Sequence, residues 1–114
     1  MKIKFDCVFY YVRNLDAAIR FYEDTLGMQL ISRDAVARFD VDGVLFELVP
    51  LGEGESVSGS GNARLCLEVQ NIEQTVQELK ERGVPVGAVH TVSNGALATF
   101  EDADGNELVL WQYA

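Results

Sequence analysis

The 114-residue chain is poor in several residue types, and each shortage excludes a class of protein. Its two cysteines, Cys7 and Cys66, are too few for a disulfide framework, so we expect two reduced thiols, with a redox pair as the alternative. Lys and Arg total 9 against 18 Asp and Glu, and the resulting charge of −9 argues against nucleic acid or an anionic membrane as a partner.

Long apolar runs are also missing. No stretch approaches the length of a membrane span, and the N-terminus reaches Asp6 before any run of signal-peptide length. We therefore expect a cytoplasmic protein that does not bind membranes. What the chain does have is 48% hydrophobic residues, which is enough for one compact domain with a real core. Its acidic balance would attract a cationic ligand.

A strand followed by a helix opens the chain. Residues 7–12 form an almost unbroken apolar run, and Asn14 is the predicted N-cap of the helix behind it. Gly27 supplies the left-handed stop. Between them one apolar stripe repeats at helical spacing, at Leu15, Ala18, Ile19, Tyr22 and Leu26.

The same pattern returns 57 positions later. Asn14 then corresponds to Asn71 and Ile19 to Val76, and Gly83 closes the second helix. The capping Asn, acidic first turn, apolar stripe and terminal Gly agree in order, which indicates an internal repeat. Aligning the turn Asp104-Gly105 on Asp42-Gly43 gives a shift of 62, which pairs Glu47 with Val109.

The remaining strands complete two βαβββ modules, residues 1–50 and 63–114, within a single domain. Residues 51–62 form a Gly- and Ser-rich linker, either a solvated connector or, as the alternative, a ligand-gating lid. The predicted strands are 7–12, 28–32, 35–41, 44–49, 63–69, 85–90, 96–100 and 107–113, and the second helix is 72–82. Because each sheet has one bare apolar face, we predict an α+β fold whose two sheets enclose a concave cavity with the helices outside.

Two segments resemble the glyoxalase, bleomycin-resistance and extradiol-dioxygenase superfamily, also called the vicinal oxygen chelate proteins. Residues 11–22, YVRNLDAAIRFY, with Leu26-Gly27, resemble the family's strand-to-helix signature. Residues 100–108, FEDADGNEL, resemble its hairpin, with Ala103 in place of proline. The resemblance implies the fold given above, but it leaves the activity open, since the family includes lyases, epimerases, dioxygenases, thiol transferases and drug-binding proteins.

The resemblance also implies four metal-ligand positions, which in this chain hold Cys7, Glu47, Arg64 and Val109. Only Glu47 matches the family's ligand types. Arg64 brings a positive charge without an acceptor, and Val109 brings no donor. We therefore expect no metal and no other cofactor, with a divalent metal as the alternative.

Strand alternation predicts which side chains line the cavity. They are Cys7, Phe9, Tyr11, Glu47, Arg64, Cys66, Val109 and Trp111. Glu47 and Arg64 either pair with each other or bind a ligand, and Glu47 is also a candidate general base. Cys7 is a small buried hydrophobe or, if Arg64 lowered its pKa, a nucleophile. His90 is read as a surface residue.

The leading hypothesis is a metal-independent protein that binds a cationic or aromatic small molecule in this cavity, with Glu47 and Arg64 as polar anchors. The rival is a metal-dependent glyoxalase-like lyase, isomerase or dioxygenase in which Glu47 is a ligand or base. In a third reading the cavity is filled by side chains. The resemblance and the flexible linker also predict a homodimer, with exchange of modules between chains as a variant.

Overall fold

The computed structural model describes residues 1–56 and 59–114, and its two repeats have the same architecture. The division between two compact units falls at residues 57 and 58, inside the predicted linker; these two linker residues lie outside the described part of the chain. We call residues 1–56 the first unit and residues 59–114 the second unit. In the described ranges, no helix is long and apolar enough to cross a membrane.

The first unit is a four-stranded sheet with one helix. Its elements are β1 (Val8–Val12), α1 (Leu15–Ile19), a π-helical segment (Arg20–Thr25), β2 (Gln29–Arg33), β3 (Ala37–Val41) and β4 (Val44–Pro50). The strand order is β1-β4-β3-β2, with β1 parallel to β4 and the other pairs antiparallel. Asp42 and Gly43 both have positive φ, 51° and 83°, as a tight hairpin turn requires.

The second unit repeats this order. Its elements are β5 (Leu65–Glu68), α2 (Ile72–Glu81), β6 (His90–Val92), β7 (Gly95–Glu101) and β8 (Glu107–Tyr113), and the strand order is β5-β8-β7-β6. Phe9 lies opposite Glu47 in the first sheet, and Cys66 lies opposite Val109 in the second. The predicted α+β fold of two βαβββ modules is confirmed, together with the correspondence of Glu47 and Val109.

An aromatic cluster fills the core of the first unit. Tyr22, fully buried on the π-helical segment, lies 5.1 Å from Phe46 of β4 between ring centroids. Tyr10 of β1 contacts the same Phe46 ring edge-on at 5.7 Å. The helix therefore covers the face of the sheet that carries Tyr10 and Phe46, and the alternate residues of each strand lie on the opposite face.

Helix caps follow the sequence prediction in both units. The Asn14 Oδ1 accepts a hydrogen bond from the Ala17 N–H at 3.0 Å, and the Asn71 Oδ1 accepts one from the Gln74 N–H at 3.1 Å. Gly27 ends the first helical region with φ +76°. Each cap satisfies an N–H of the first turn that lacks a partner within the helix.

Three elements differ from the sequence prediction. The helix widens into a π-helical turn at Arg20–Thr25, where the Leu26 N–H reaches the Phe21 carbonyl five residues back. The predicted strand 35–41 begins only at Ala37, because the Asp34 carboxylate accepts the Val36 N–H and holds a turn. The predicted strand 85–90 is wrong: β6 begins at its last residue, and Pro85 at its start has no N–H for a ladder.

Candidate functional site

In each unit, the sheet face turned away from that unit's helix carries the predicted site residues; we call it the open face. In the first unit, Phe9 and Tyr11 lie on this face and are 46% and 40% exposed. Their rings meet edge-to-face with centroids 5.4 Å apart. Glu47 lies opposite Phe9 in the parallel ladder, and Val49 lies opposite Tyr11. The predicted alternation along β1 and β4 is confirmed.

Glu47 is bonded to a guanidinium of its own unit. The Nε of Arg38 lies 3.2 Å from the Glu47 carboxylate, and the Glu47 side chain is only 17% exposed. The same guanidinium donates to Asp34 at 3.0 Å. The Asp34 carboxylate raises the pKa of Arg38, and the Glu47 carboxylate raises it further, so the guanidinium keeps its charge. The open face therefore presents the ion pair of Glu47 and Arg38 beside the rings of Phe9 and Tyr11.

Arg38 was missing from the sequence prediction, although the sequence holds a signal for it. A two-residue turn at Asp42-Gly43 fixes the hairpin register, and counting back from Val41 opposite Val44 places Arg38 opposite Glu47. The neighbours Ala37 and Phe39 are buried, so Arg38 must lie on the open face. The tight turn was enough to predict that Arg38 lies opposite Glu47, and the ion pair itself is seen in the structure.

Cys7 lies immediately before β1 and is partly buried. Burial raises the pKa of its thiol, and the negative charges of Glu47 and Asp6 raise it further. A higher pKa leaves less thiolate at neutral pH, so the environment of Cys7 does not activate a nucleophile. The groups of the first unit thus act against the predicted alternative of a nucleophilic Cys7, and an effect of Arg64 on its pKa stays a prediction.

The open face of the second unit carries Cys66, Val109 and Trp111. Cys66 lies opposite Val109, and Glu68 lies opposite Trp111. The Trp111 indole meets the Tyr113 ring edge-to-face at 5.4 Å. This face is therefore aromatic at one end, where Trp111 and Tyr113 meet.

Arg64 precedes β5 and is held by groups of its own unit. Its Nε forms an ion pair with the Glu107 carboxylate. Its Nη1 donates to the Gly61 carbonyl at 2.7 Å and to the Ala63 carbonyl at 2.9 Å. Three acceptors therefore hold the Arg64 guanidinium. The sequence had predicted Glu47 or a ligand as its partner. Glu107 was not among the predicted site residues.

The structure thus brings Phe9, Tyr11 and Glu47 together on one open face, and Cys66, Val109 and Trp111 on the other. The cavity between sheets stays a prediction. Within residues 1–56 and 59–114, no three His, Cys, Asp or Glu side chains are grouped as a metal site would need. His90 is exposed, as predicted, and lies opposite Leu97.

The hairpin motif at residues 100–108 has a structural role. The buried Asp102 carboxylate accepts hydrogen bonds from the Asp104 N–H, the Asn106 N–H and the Asn106 side-chain amide, at 2.9 to 3.0 Å. Asn106 itself is only 1% exposed. The residues that resemble the family most closely here hold a turn rather than a ligand.

Comparisons with known proteins agree with this architecture. The family model described as Glyoxalase/Bleomycin resistance protein/Dioxygenase superfamily matches residues 4–110. A comparison with curated proteins gave no match at the significance required.

Many solved structures are similar to the chain, and three show the range. TnmS3, an antibiotic binding protein from Streptomyces sp. CB03234, is 25% identical with a TM-score of 0.75, over 100% of this chain and 99% of that one. Lactoylglutathione lyase from Agrobacterium tumefaciens is 16% identical with a TM-score of 0.78, over 96% and 92%. The fosfomycin resistance protein FosX from Mesorhizobium loti is 13% identical with a TM-score of 0.77, over 100% and 95%. The last two likenesses show the fold alone.

The match of the family model covers nearly the whole chain, and it includes the strand-to-helix segment and the buried Asp102 hairpin. Both repeats also have the fold that the resemblance implies. The chain therefore belongs to the Glyoxalase/Bleomycin resistance protein/Dioxygenase superfamily.

Proposed function

We propose that this protein binds a small aromatic or cationic molecule without a metal, and that the ligand lies on the open face of the first unit. The observation that carries the proposal is the pair of exposed rings, Phe9 and Tyr11, beside the Glu47 and Arg38 ion pair. Aromatic faces stack on planar or cationic groups, and a fixed ion pair offers both an acceptor and donors.

The residues at the four metal-ligand positions support a binding site without a metal. Of the four ligand positions implied by the family, Glu47 is bonded to Arg38 and Arg64 to Glu107. Val109 has no donor atom, and the raised pKa of Cys7 opposes the thiolate that binds metal. The residues present do not fit the family's usual metal centre.

Among the neighbours, the antibiotic binding protein TnmS3 supports the same proposal, because it matches this chain over its full length. TnmS3 is an antibiotic binding protein. We extend only the general class, a small organic ligand, to the present chain. The predicted contribution of Arg64, Cys66, Val109 and Trp111 to the same site, and the predicted homodimer, remain parts of the proposal.

The test is calorimetric titration with bleomycin, the compound in the family description, and with a planar cationic dye such as ethidium. We expect binding of at least one probe to survive EDTA and to weaken about tenfold in Phe9→Ala or Glu47→Gln. Glu23→Gln, an exposed acid on the helical side, is the matched control. Binding that needs a stoichiometric divalent metal, or that is unchanged in both variants, contradicts the proposal.

The rival proposal is an enzyme that uses Glu47 as a metal ligand or base. The observation in its favour is a mostly buried carboxylate on the face where the family places its chemistry. Turnover of an α-keto thiohemiacetal or a diol, dependent on added metal and lost in Glu47→Gln, would support it. Turnover that survives Glu47→Gln would rule out this role for Glu47.

A further inference from the structure

A groove of about 450 Å³ lies in the second unit, and Gly95 and Tyr113 are part of its lining. It runs between the first turn of α2 and the strands β6, β7 and β8. Its lining includes Asn71, Glu73, Val89, Thr91, Ala96 and Gln112. Glu73 is the only charged side chain among the described residues that line it.

The first unit fills the corresponding place with one of its own side chains. Arg33, at the end of the edge strand β2, forms an ion pair with Asp16. Asp16 is the second residue of α1, and Glu73 is the second residue of α2. The two acids are therefore equivalent in the repeat.

The position of Arg33 also has an equivalent in the second unit. Arg33 lies opposite Ala37, which lies opposite Leu48. In the second sheet the equivalent of Leu48 is Leu110, which lies opposite Ala98.

β6 begins at His90, which lies opposite Leu97, and before it the Gly87 N–H donates to the Thr99 carbonyl at 2.9 Å. Residues 88 and 89 therefore lie between these two pairings, in the region where the first sheet has Arg33, and Val89 lines the groove. The second unit keeps the acid of this pair and lacks its cation.

The groove does not suit an anion, although the N-terminus of α2 borders it. The Gln112 Oε1 accepts the Ile72 N–H at 2.7 Å, and the Asn71 Oδ1 accepts the Gln74 N–H at 3.1 Å. Side-chain oxygens therefore already occupy two of the N–H groups of the first turn that an anion would use. Glu73 is an exposed residue that lines the groove, and in the described part of the chain no donor is bonded to its carboxylate.

From these observations we infer that the groove is a second binding site, specific for a small organic cation whose guanidinium or ammonium group pairs with Glu73. The cation takes the place that the Arg33 side chain occupies against Asp16. Val89 and Ala96 contact the apolar part of the ligand, as they would the stem of an arginine. The net charge of −9 favours the approach of a cation. This site does not depend on the proposed site at Glu47.

The test uses n-butylguanidinium, which matches an arginine side chain, and n-butylurea, which has the same shape without the charge. Titrations are followed by amide NMR of the full chain at low salt. We expect saturable shifts at Glu73, Val89 and Gln112 with a dissociation constant on the order of a millimolar, and no saturable shifts with butylurea. Equal responses to both probes, or no response to either, overturn the inference.

Three variants sharpen the result. Glu73→Gln weakens binding by about tenfold, whereas Glu81→Gln, an exposed acid on the same helix, leaves it unchanged. Val89→Arg rebuilds the pair found in the first unit and abolishes binding by filling the groove. Unchanged affinity in Glu73→Gln contradicts the inference even if Val89→Arg fails to fold. Glu47→Gln leaves this binding intact, which separates the site from the proposed function.

Discussion

At the scale of single residues, the pairing of Arg38 with Glu47 is the central feature of the site proposed on the open face of the first unit. The carboxylate is mostly buried, and a buried charge needs a partner. Arg38 meets this need from the next strand, so Glu47 and Arg38 are held in place before any ligand arrives. Such a fixed pair recognises a ligand by shape and hydrogen bonding as much as by charge.

The same neighbourhood predicts the behaviour of Cys7. Because the negative charge of Glu47 disfavours the thiolate, Glu47→Gln lowers the pKa of Cys7 towards its ordinary value. The measurement is the pH dependence of iodoacetamide alkylation in a Cys66→Ser background, where Cys7 is the one remaining thiol. The midpoint moves to lower pH in Glu47→Gln and stays in place in Glu23→Gln. A midpoint that does not move would show that Glu47 is not a cause of the raised pKa.

Gly95 gives a second prediction, because Trp111 lies against it. A Cβ at Gly95 would come within 2.7 Å of the Trp111 ring and 2.3 Å of the Gln112 carbonyl. Gly95→Ala therefore lowers the free energy of unfolding by about 1–3 kcal/mol. Denaturation followed by circular dichroism measures the loss, and the fluorescence of Trp111, the single tryptophan, reports the displaced ring.

Gly87 is the matched control for this change. A Cβ at Gly87 meets its nearest neighbour, the Thr99 carbonyl, at 3.5 Å, which is an ordinary contact. Gly87→Ala should leave the free energy of unfolding within about 0.5 kcal/mol of the parent. Equal losses in the two variants would mean that contact with Trp111 is not the cause.

At the scale of elements, the hairpin between β7 and β8 depends on one buried acid. Asp102 accepts three hydrogen bonds within the turn, and Asp102→Asn places an amide donor where only acceptors fit. We expect a loss of about 1–3 kcal/mol in the free energy of unfolding, measured by urea titration. Glu101→Gln, an exposed neighbour on β7, is the control and should change little. If Asp102→Asn left the free energy of unfolding unchanged, the backbone hydrogen bonds alone would account for the stability of the turn.

The two helix caps give a paired prediction. Asn14→Ala and Asn71→Ala each remove an acceptor from an otherwise unpaired N–H of the first turn. Each should lower the free energy of unfolding by about 1 kcal/mol, and Asp or Ser at either position should restore most of it. Thermal unfolding of the three substitutions at each site measures this order. If Ala and Asp behave alike, the caps contribute nothing.

At the scale of the whole molecule, the net charge of −9 predicts how binding depends on salt. A cationic probe such as ethidium should bind more weakly as ionic strength rises from 0.01 to about 0.15 M, because the Debye length falls to about 8 Å. A neutral aromatic probe of similar size should be unaffected. Calorimetry of both probes at the two ionic strengths makes the comparison. Identical salt dependence would mean that the charge of the protein does not steer the ligand.

The sequence by itself determined the repeat, the helix caps and the face of the strands that carry the predicted site residues. These follow from local rules: an Asn can cap, a two-residue turn fixes a register, and alternation assigns alternate residues to opposite faces. Phe9, Tyr11 and Glu47 were correctly placed on one face for this reason. Even Arg38 was within reach of the same counting.

Only the tertiary structure decided the partners of the charged residues. Arg64 bonds to Glu107 and to backbone carbonyls, and Arg33 bonds to Asp16. A long, flexible side chain can reach several acceptors, so the sequence does not determine which one it contacts. The open groove beside Glu73 has the same origin. Val89 lines it in the region where the first unit has Arg33, a difference that becomes visible only when the strand pairings align the two repeats.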